Sequence, residues 1–240
     1  MKSFRFILAL SALAGSSAFA GPVCLSNTLG GYISLGAGGC DVGTATFSGF
    51  TTLPPITGAT GIPAASIMVS PFQSGNVFGL DFSLNDTATA GELREALIGY
   101  MVVSTPGITS SMISLSGTST TGAGFITDIQ NFCKGGTFTP NDVTGCANSD
   151  TLLVLNSGSD QKTFPAVGML SIVHDLTLDA GGGGTASAGV VMDRFTAPAA
   201  DAAIPEPGTW GLLATALLGF VLIPRIRGTK PPQPVQETAK

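Results

Sequence analysis

The sequence predicts an all-β fold, an antiparallel β-sandwich of jelly-roll type, framed by an N-terminal signal peptide and a C-terminal membrane helix. Three observations lead there. Short runs of β-branched or alternating apolar residues recur through the middle of the chain. Turn signals separate them, as in Leu53-Pro54-Pro55, Ser74-Gly75-Asn76 and the glycine string Gly181 to Gly184. Between the two ends, almost nothing reads as helix.

Residues 1–20 come first. Lys2 and Arg5 form a positive n-region, Phe6 to Ala14 an apolar core, and Ala18-Phe19-Ala20 a small-x-small box. That layout is a secretory signal, with signal peptidase expected to cut between Ala20 and Gly21. The apolar run is too short to span a bilayer core, which takes roughly 20 such residues. Leu13-Ala14-Gly15 is followed by Ser16 rather than Cys, which excludes lipidation there.

Residues 21–200 form the predicted ectodomain. Strands are expected near Gly31–Leu35, Thr44–Phe50, Ser66–Ser70, Val77–Leu84, Ile98–Ser104, Met112–Ser116, Gly124–Phe132, Leu152–Asn156, Val167–Leu178 and Ala186–Thr196. The clearest alternation is Ser171 to Leu178, where Ile172, His174, Leu176 and Leu178 share one face and Val173, Asp175 and Thr177 the other. One stretch, Ala90 to Leu97, carries helix formers behind a potential Thr89 cap, and reads equally as a turn leading into a strand.

The chain has four cysteines, Cys24, Cys40, Cys133 and Cys146, without a Cys-x-x-Cys pair. An even count in an exported chain suggests disulfides, and three pairings are open. The preferred one joins Cys24 to Cys40 and Cys133 to Cys146, closing two short turn-rich loops at about 3 kcal/mol each in the chain-entropy picture. Zinc is not expected, because the spacing is wrong and His174 is the lone histidine.

Charge narrows the partners. Residues 21–204 hold four basic and thirteen acidic side chains, more acidic than the whole-chain net of −5. Such a surface repels phosphate backbones, so nucleic acid is not an expected partner. Catalytic patterns are missing too. Asp175 follows His174 directly and so points to the opposite face of its strand, where it cannot orient the imidazole. No Gly-x-Ser-x-Gly elbow or phosphate-binding loop occurs. His174 therefore reads as a partly buried strand residue with a hydrogen-bond partner, and Glu92 and Glu95 as surface charges. Asn141, Asp142, Asn148 and Asp150 around Cys146 form an oxygen-rich loop in which Asx turns are favoured over Ca²⁺. No cofactor or metal is expected, and the phenylalanines fit core positions better than a sugar-stacking platform.

The C-terminus is the most specific stretch. A linker (residues 201–207) carries Pro205-Glu206-Pro207, an apolar segment (208–223) begins at Gly208-Thr209-Trp210, and a basic, proline-rich tail (224–240) contains Arg225 and Arg227. This order of parts resembles the PEP-CTERM sorting signal. The resemblance covers about the last thirty-five residues. It implies recognition of Pro205, Glu206 and Pro207 by an exosortase, a membrane-embedded cysteine transpeptidase. It also implies Trp210 at the membrane interface, a membrane segment ending at Ile223, and Arg225 and Arg227 as the cytoplasmic stop-transfer signal. Here Pro224 interrupts the run into the arginines, and a tail from Gly228 to Lys240 follows them.

The resemblance thus implies a precursor held transiently in the inner membrane, then a non-enzymatic protein of the cell surface or extracellular matrix, associated with biofilm and exopolysaccharide. A polysaccharide- or calcium-binding module is the alternative, with a glycan-active enzyme behind it.

Overall fold

A computed structural model describes residues 21–139 and 143–199. Twelve strands account for most of these residues. They are β1 (Asn27–Thr28), β2 (Cys40–Val42), β3 (Ala45–Thr52), β4 (Thr60–Gly61), β5 (Met68–Ser74), β6 (Val77–Ala88), β7 (Leu93–Ser116), β8 (Ser119–Thr121), β9 (Phe125–Lys134), β10 (Ser149–Leu155), β11 (Gly158–Asp179) and β12 (Thr185–Thr196). The one α-helix among them is α1 (Leu29–Ser34). Pairing is antiparallel except where β4 runs parallel to β7 at Arg94 and Glu95 and where Val23 makes a parallel bridge to Asp41.

Two long strands, β7 and β11, serve both layers of a sandwich. The first half of β7 pairs with β3 on one side and with the second half of β11 on the other. Past Thr105-Pro106-Gly107 it pairs with β12 and with the first half of β11. Gly107 has φ +117°, a conformation that favours glycine. On β11, register shifts fall between Thr163 and Met169, around Pro165 and Gly168. A proline and a glycine on each strand thus loosen the ladder where the chain passes between layers. Sheet I runs β1-β5-β6-β12-β7-β11, using the second half of β7 and the first of β11. Sheet II runs β2-β3-β7-β11-β9-β10, using the other halves.

Side-chain alternation fills the space between the sheets. Sheet I sends in Phe78, Leu80, Phe82, Ile113, Val191 and Phe195, and sheet II sends in Phe47, Ile98, Tyr100, Ile126, Phe132, Ile172 and Leu176, all buried. Rings meet across the gap, Phe47 on Phe195 at 6.1 Å between centroids and Phe82 on Tyr100 at 6.1 Å. Gly79 lets β6 and β12 approach, because a Cβ there would run into the carbonyl of Asp193.

Two expectations are corrected, and one open reading is decided. Gly31–Leu35 is not a strand, because Thr28 caps a helix by accepting from the Gly31 N–H at 3.1 Å and Leu29 and Tyr32 turn inward together. Of the two readings open for Ala90–Leu97, the turn leading into a strand is the one found. Thr89 donates its N–H and hydroxyl to Glu92, closing a turn, and β7 starts one residue later. Ile98–Ser104 and Met112–Ser116 are one strand, and Gly158–Phe164 belongs to β11.

Both preferred disulfides are present, Cys24–Cys40 and Cys133–Cys146. The signal segment up to Ala20, the Pro205-Glu206-Pro207 element, the apolar run and Arg225 and Arg227 lie outside the described residues, as do Asn141 and Asp142. Among the described residues, no helix is long and apolar enough to cross a membrane.

Candidate functional site

Period-2 alternation on β11 points His174 between the sheets with Ile172, Leu176 and Leu178, as its parity requires. The expectation of partial burial is too modest. His174 is 2% exposed and has partners at both ring nitrogens. Nδ1 lies 3.0 Å from Asp128 Oδ1 on β9, and Nε2 lies 2.6 Å from Asp193 Oδ1 on β12. The second oxygen of Asp193 accepts a short hydrogen bond from the Tyr100 hydroxyl on β7. Gln130, two residues along β9 from Asp128, sets its Nε2 at 3.1 Å from His174 Nε2. Its Oε1 accepts from the Ser111 hydroxyl at 2.7 Å. Asp128, Gln130, Ser111 and Asp193 are each fully buried.

Burial favours a neutral imidazole, but the Asp193 and Asp128 carboxylates outweigh it and push the pKa of His174 up to about 10. His174 is therefore an imidazolium at neutral pH. Burial pushes the Asp128 carboxyl up, against the pull of the imidazolium, and its Oδ2 has no hydrogen-bond partner. Asp193 accepts from two donors and is the better-satisfied counter-ion. Burial first, and then the charge of Asp193, raise the Tyr100 hydroxyl well above its ordinary value.

Asp, His and Ser together are the parts of a nucleophilic site, yet no substrate can reach them here. The void beside His174, lined by Phe82, Leu84, Ala96, Ile98, Leu176 and Val191, measures about 10 Å³. That is the lower limit for a single water. Whatever chemistry the cluster performs is confined to its own side chains.

The outer face of sheet II is open. A groove of about 180 Å³ runs over Gly99 and Val173, between Thr51 and Leu53 on one wall and Phe138 and Thr139 on the other. Phe138, Val173 and Cys133 form a small second core, with Leu53, Leu97 and Cys146 packed against it. The second disulfide thus fixes the loop that supplies one wall. Among the described residues, no Asp, Glu, His, Lys or Arg lines the groove.

The remaining carboxylates are dispersed. Glu92 is exposed, and its turn hydrogen bonds from Thr89 hold it below the usual carboxylate range. Glu95 is not a surface charge. It is 2% exposed and accepts the Ile56 N–H at 2.6 Å, and burial pushes its carboxyl up. Asp150 is ion-paired instead, with Lys134 and Lys162 on its two oxygens at 2.6 and 2.8 Å. Among the described residues, no group of three or more His, Cys, Asp or Glu side chains is placed so that it could hold a metal ion.

The sequence reading missed Asp128, Gln130 and Asp193. Their signal was parity. Asp128 and Gln130 alternate with Ile126 and Phe132, and Asp193 sits between Val191 and Phe195, each on the inward register of an apolar strand.

No protein-family model and no curated protein matches the chain. Two solved structures are similar. One is a carbohydrate-binding module, TmCBM61, in complex with β-1,4-galactotriose, at 12% identity and TM-score 0.27, covering 52% of this chain and 85% of that one. The other is a glycosylation-associated protein (Gap123) complex from Streptococcus agalactiae, at 12% identity and TM-score 0.29, covering 66% of this chain and 27% of that one. Likeness this slight carries no argument about function.

Proposed function

We propose that this chain is an exported, non-enzymatic protein of the cell surface or extracellular matrix, sorted by an exosortase-type transpeptidase at Pro205-Glu206-Pro207. The observation that carries the reading is the order of parts along the chain. An export signal precedes a disulfide-stapled sandwich, and the recognition element follows the last strand, which ends at Thr196. Cleavage near Glu206 would therefore leave every strand intact. All four cysteines are paired, which suits an oxidising compartment. The side chains capable of chemistry are enclosed in the core, which favours a structural role.

Replacing Pro205, Glu206 and Pro207 together by alanine is expected to leave an unprocessed, membrane-held precursor in the native host. A variant with the same mature mass and release as the parent would sink this reading. The groove beside Phe138, which among the described residues has no charged side chain in its lining, favours polysaccharide contact as a second reading. Binding of the released protein to a glycan array, lost in Phe138→Ala, would support it, and an array without signal would remove it.

A further inference from the structure

Ser111 and Gln130 meet where the sheets face each other. Ser111 belongs to the half of β7 in sheet I, and Gln130 to β9 in sheet II. Both side chains are wholly enclosed, and the hydroxyl lies 2.7 Å from the carboxamide oxygen. The nucleophilic hydroxyl is thus hydrogen bonded to the carboxamide oxygen, one bond from the electrophilic carbon, with the His174 ring beside the amide nitrogen. We propose that Ser111 and Gln130 form an intramolecular ester cross-link, made by the folded chain on itself with release of ammonia.

The contact at Gln130 Nε2 is the telling one. His174 Nε2 lies 3.1 Å away, and both ring nitrogens of an imidazolium are donors. A planar amide nitrogen is also a donor and has no lone pair to offer, so the pair gains nothing in the ground state. When Ser111 Oγ attacks Cδ, the carbon becomes tetrahedral and that nitrogen acquires a lone pair. The Nε2–H that His174 gives to Asp193 in the ground state can then be shared with that nitrogen, an interaction gained only as the reaction proceeds.

The atoms balance without any outside reagent. The Oγ–Cδ bond forms as the hydroxyl proton moves to Oε1, to which it is already hydrogen bonded. His174 then passes the Nε2 proton it shared with Asp193 to Gln130 Nε2, the Cδ–Nε2 bond breaks, and ammonia, about the size of the one water that the void beside His174 could hold, departs. The proton on Oε1 returns to the imidazole, so His174 ends as it began and the product is a neutral ester. Asp193 and Asp128 hold the ring in place and keep it charged. Tyr100, by donating to Asp193, fixes that carboxylate in turn. Exclusion of water, which would hydrolyse the ester, protects the product.

A peptide map of the purified, folded full-length protein after disulfide reduction tests this. Cleavage before Asp86, Asp128 and Asp142 places Ser111 and Gln130 in separate peptides. The expected result is one branched peptide whose mass is the sum of the two less one ammonia. Alkaline hydroxylamine should split it and leave a hydroxamate at position 130. Ser111→Ala should give the two linear peptides at full mass. Recovery of separate, unmodified Ser111 and Gln130 peptides from the folded parent would overturn the proposal, and that reading stands even if the variant does not fold.

Discussion

His174 is a buried cation, and its surroundings decide what losing it costs. An imidazolium inside a protein is tolerated only when its charge is matched and both N–H groups are accepted, conditions met by Asp128 and Asp193. Removing one partner strands the other. Asp193→Asn leaves the Nε2 side without a full counter-charge and is expected to destabilise the fold by about 3–5 kcal/mol in urea titration. His174→Gln should cost a similar amount, because it leaves two enclosed carboxyls facing each other. A loss below about 1 kcal/mol in both would show that the pair is not the buried ion pair described. Since the chain has one histidine, a ¹⁵N spectrum reports this ring alone. Its shifts should be those of an imidazolium at pH 8, where a free imidazole is neutral.

At the scale of elements, the two sheets depend on where β7 and β11 bend and on how closely β6 lies against β12. The second requirement rests on Gly79. A Cβ there meets the backbone of Asp193, which also carries the carboxylate for His174, so crowding would displace the ion pair as well as the strand. Gly79→Ala is expected to destabilise by about 3 kcal/mol, read from the urea midpoint, whereas Gly75→Ala, in open space at a turn, carries only the smaller strain of its φ +59°. Equal losses at the two positions would contradict this. Strand existence was legible in the sequence because period-2 alternation is local, as in Ile172 to Leu178. The continuity of β7 was not. Thr105-Pro106-Gly107 reads as a loop, and only pairing with β11 and β12 on either side of it makes the segment one strand. The turn at Thr89–Glu92 could not be told from a helix start for a related reason, since a capping pattern and a turn use the same Thr and Glu hydrogen bonds. At the site, parity could have revealed Asp128, Gln130 and Asp193 as inward polar residues. Their convergence on His174 could not be read, because it joins residues 19 to 46 positions apart through sheet order.

The whole molecule adds a pH dependence whose sign follows from the same cluster. His174 has its pKa raised from 6.5 to about 10, so its stabilising contribution is complete below pH 6.5 and is lost as pH rises toward 10. Asp128 and Glu95, both pushed up chiefly by burial, act in the same direction at lower pH, since each favours its protonated form when folded. Tyr100, facing Asp193 from β7, has a raised pKa and stays neutral across this window. Glu92 and Asp150 are held down and act oppositely, losing stability as pH falls, but both face solvent and count for little. The fold should therefore be most stable in mild acid and weaken steadily between pH 6.5 and 10. At about 1.4 kcal/mol per pKa unit, the loss across that range is on the order of 5 kcal/mol, much of a typical domain's reserve. Urea midpoints measured at intervals across the range check this directly. A flat profile would mean that His174 titrates folded as it does unfolded, and would contradict the ion pair itself. A Ser111–Gln130 cross-link would raise the midpoints throughout, by limiting the unfolded chain, without changing their slope with pH. Height and slope of one curve thus report separately on the two features of the same buried cluster.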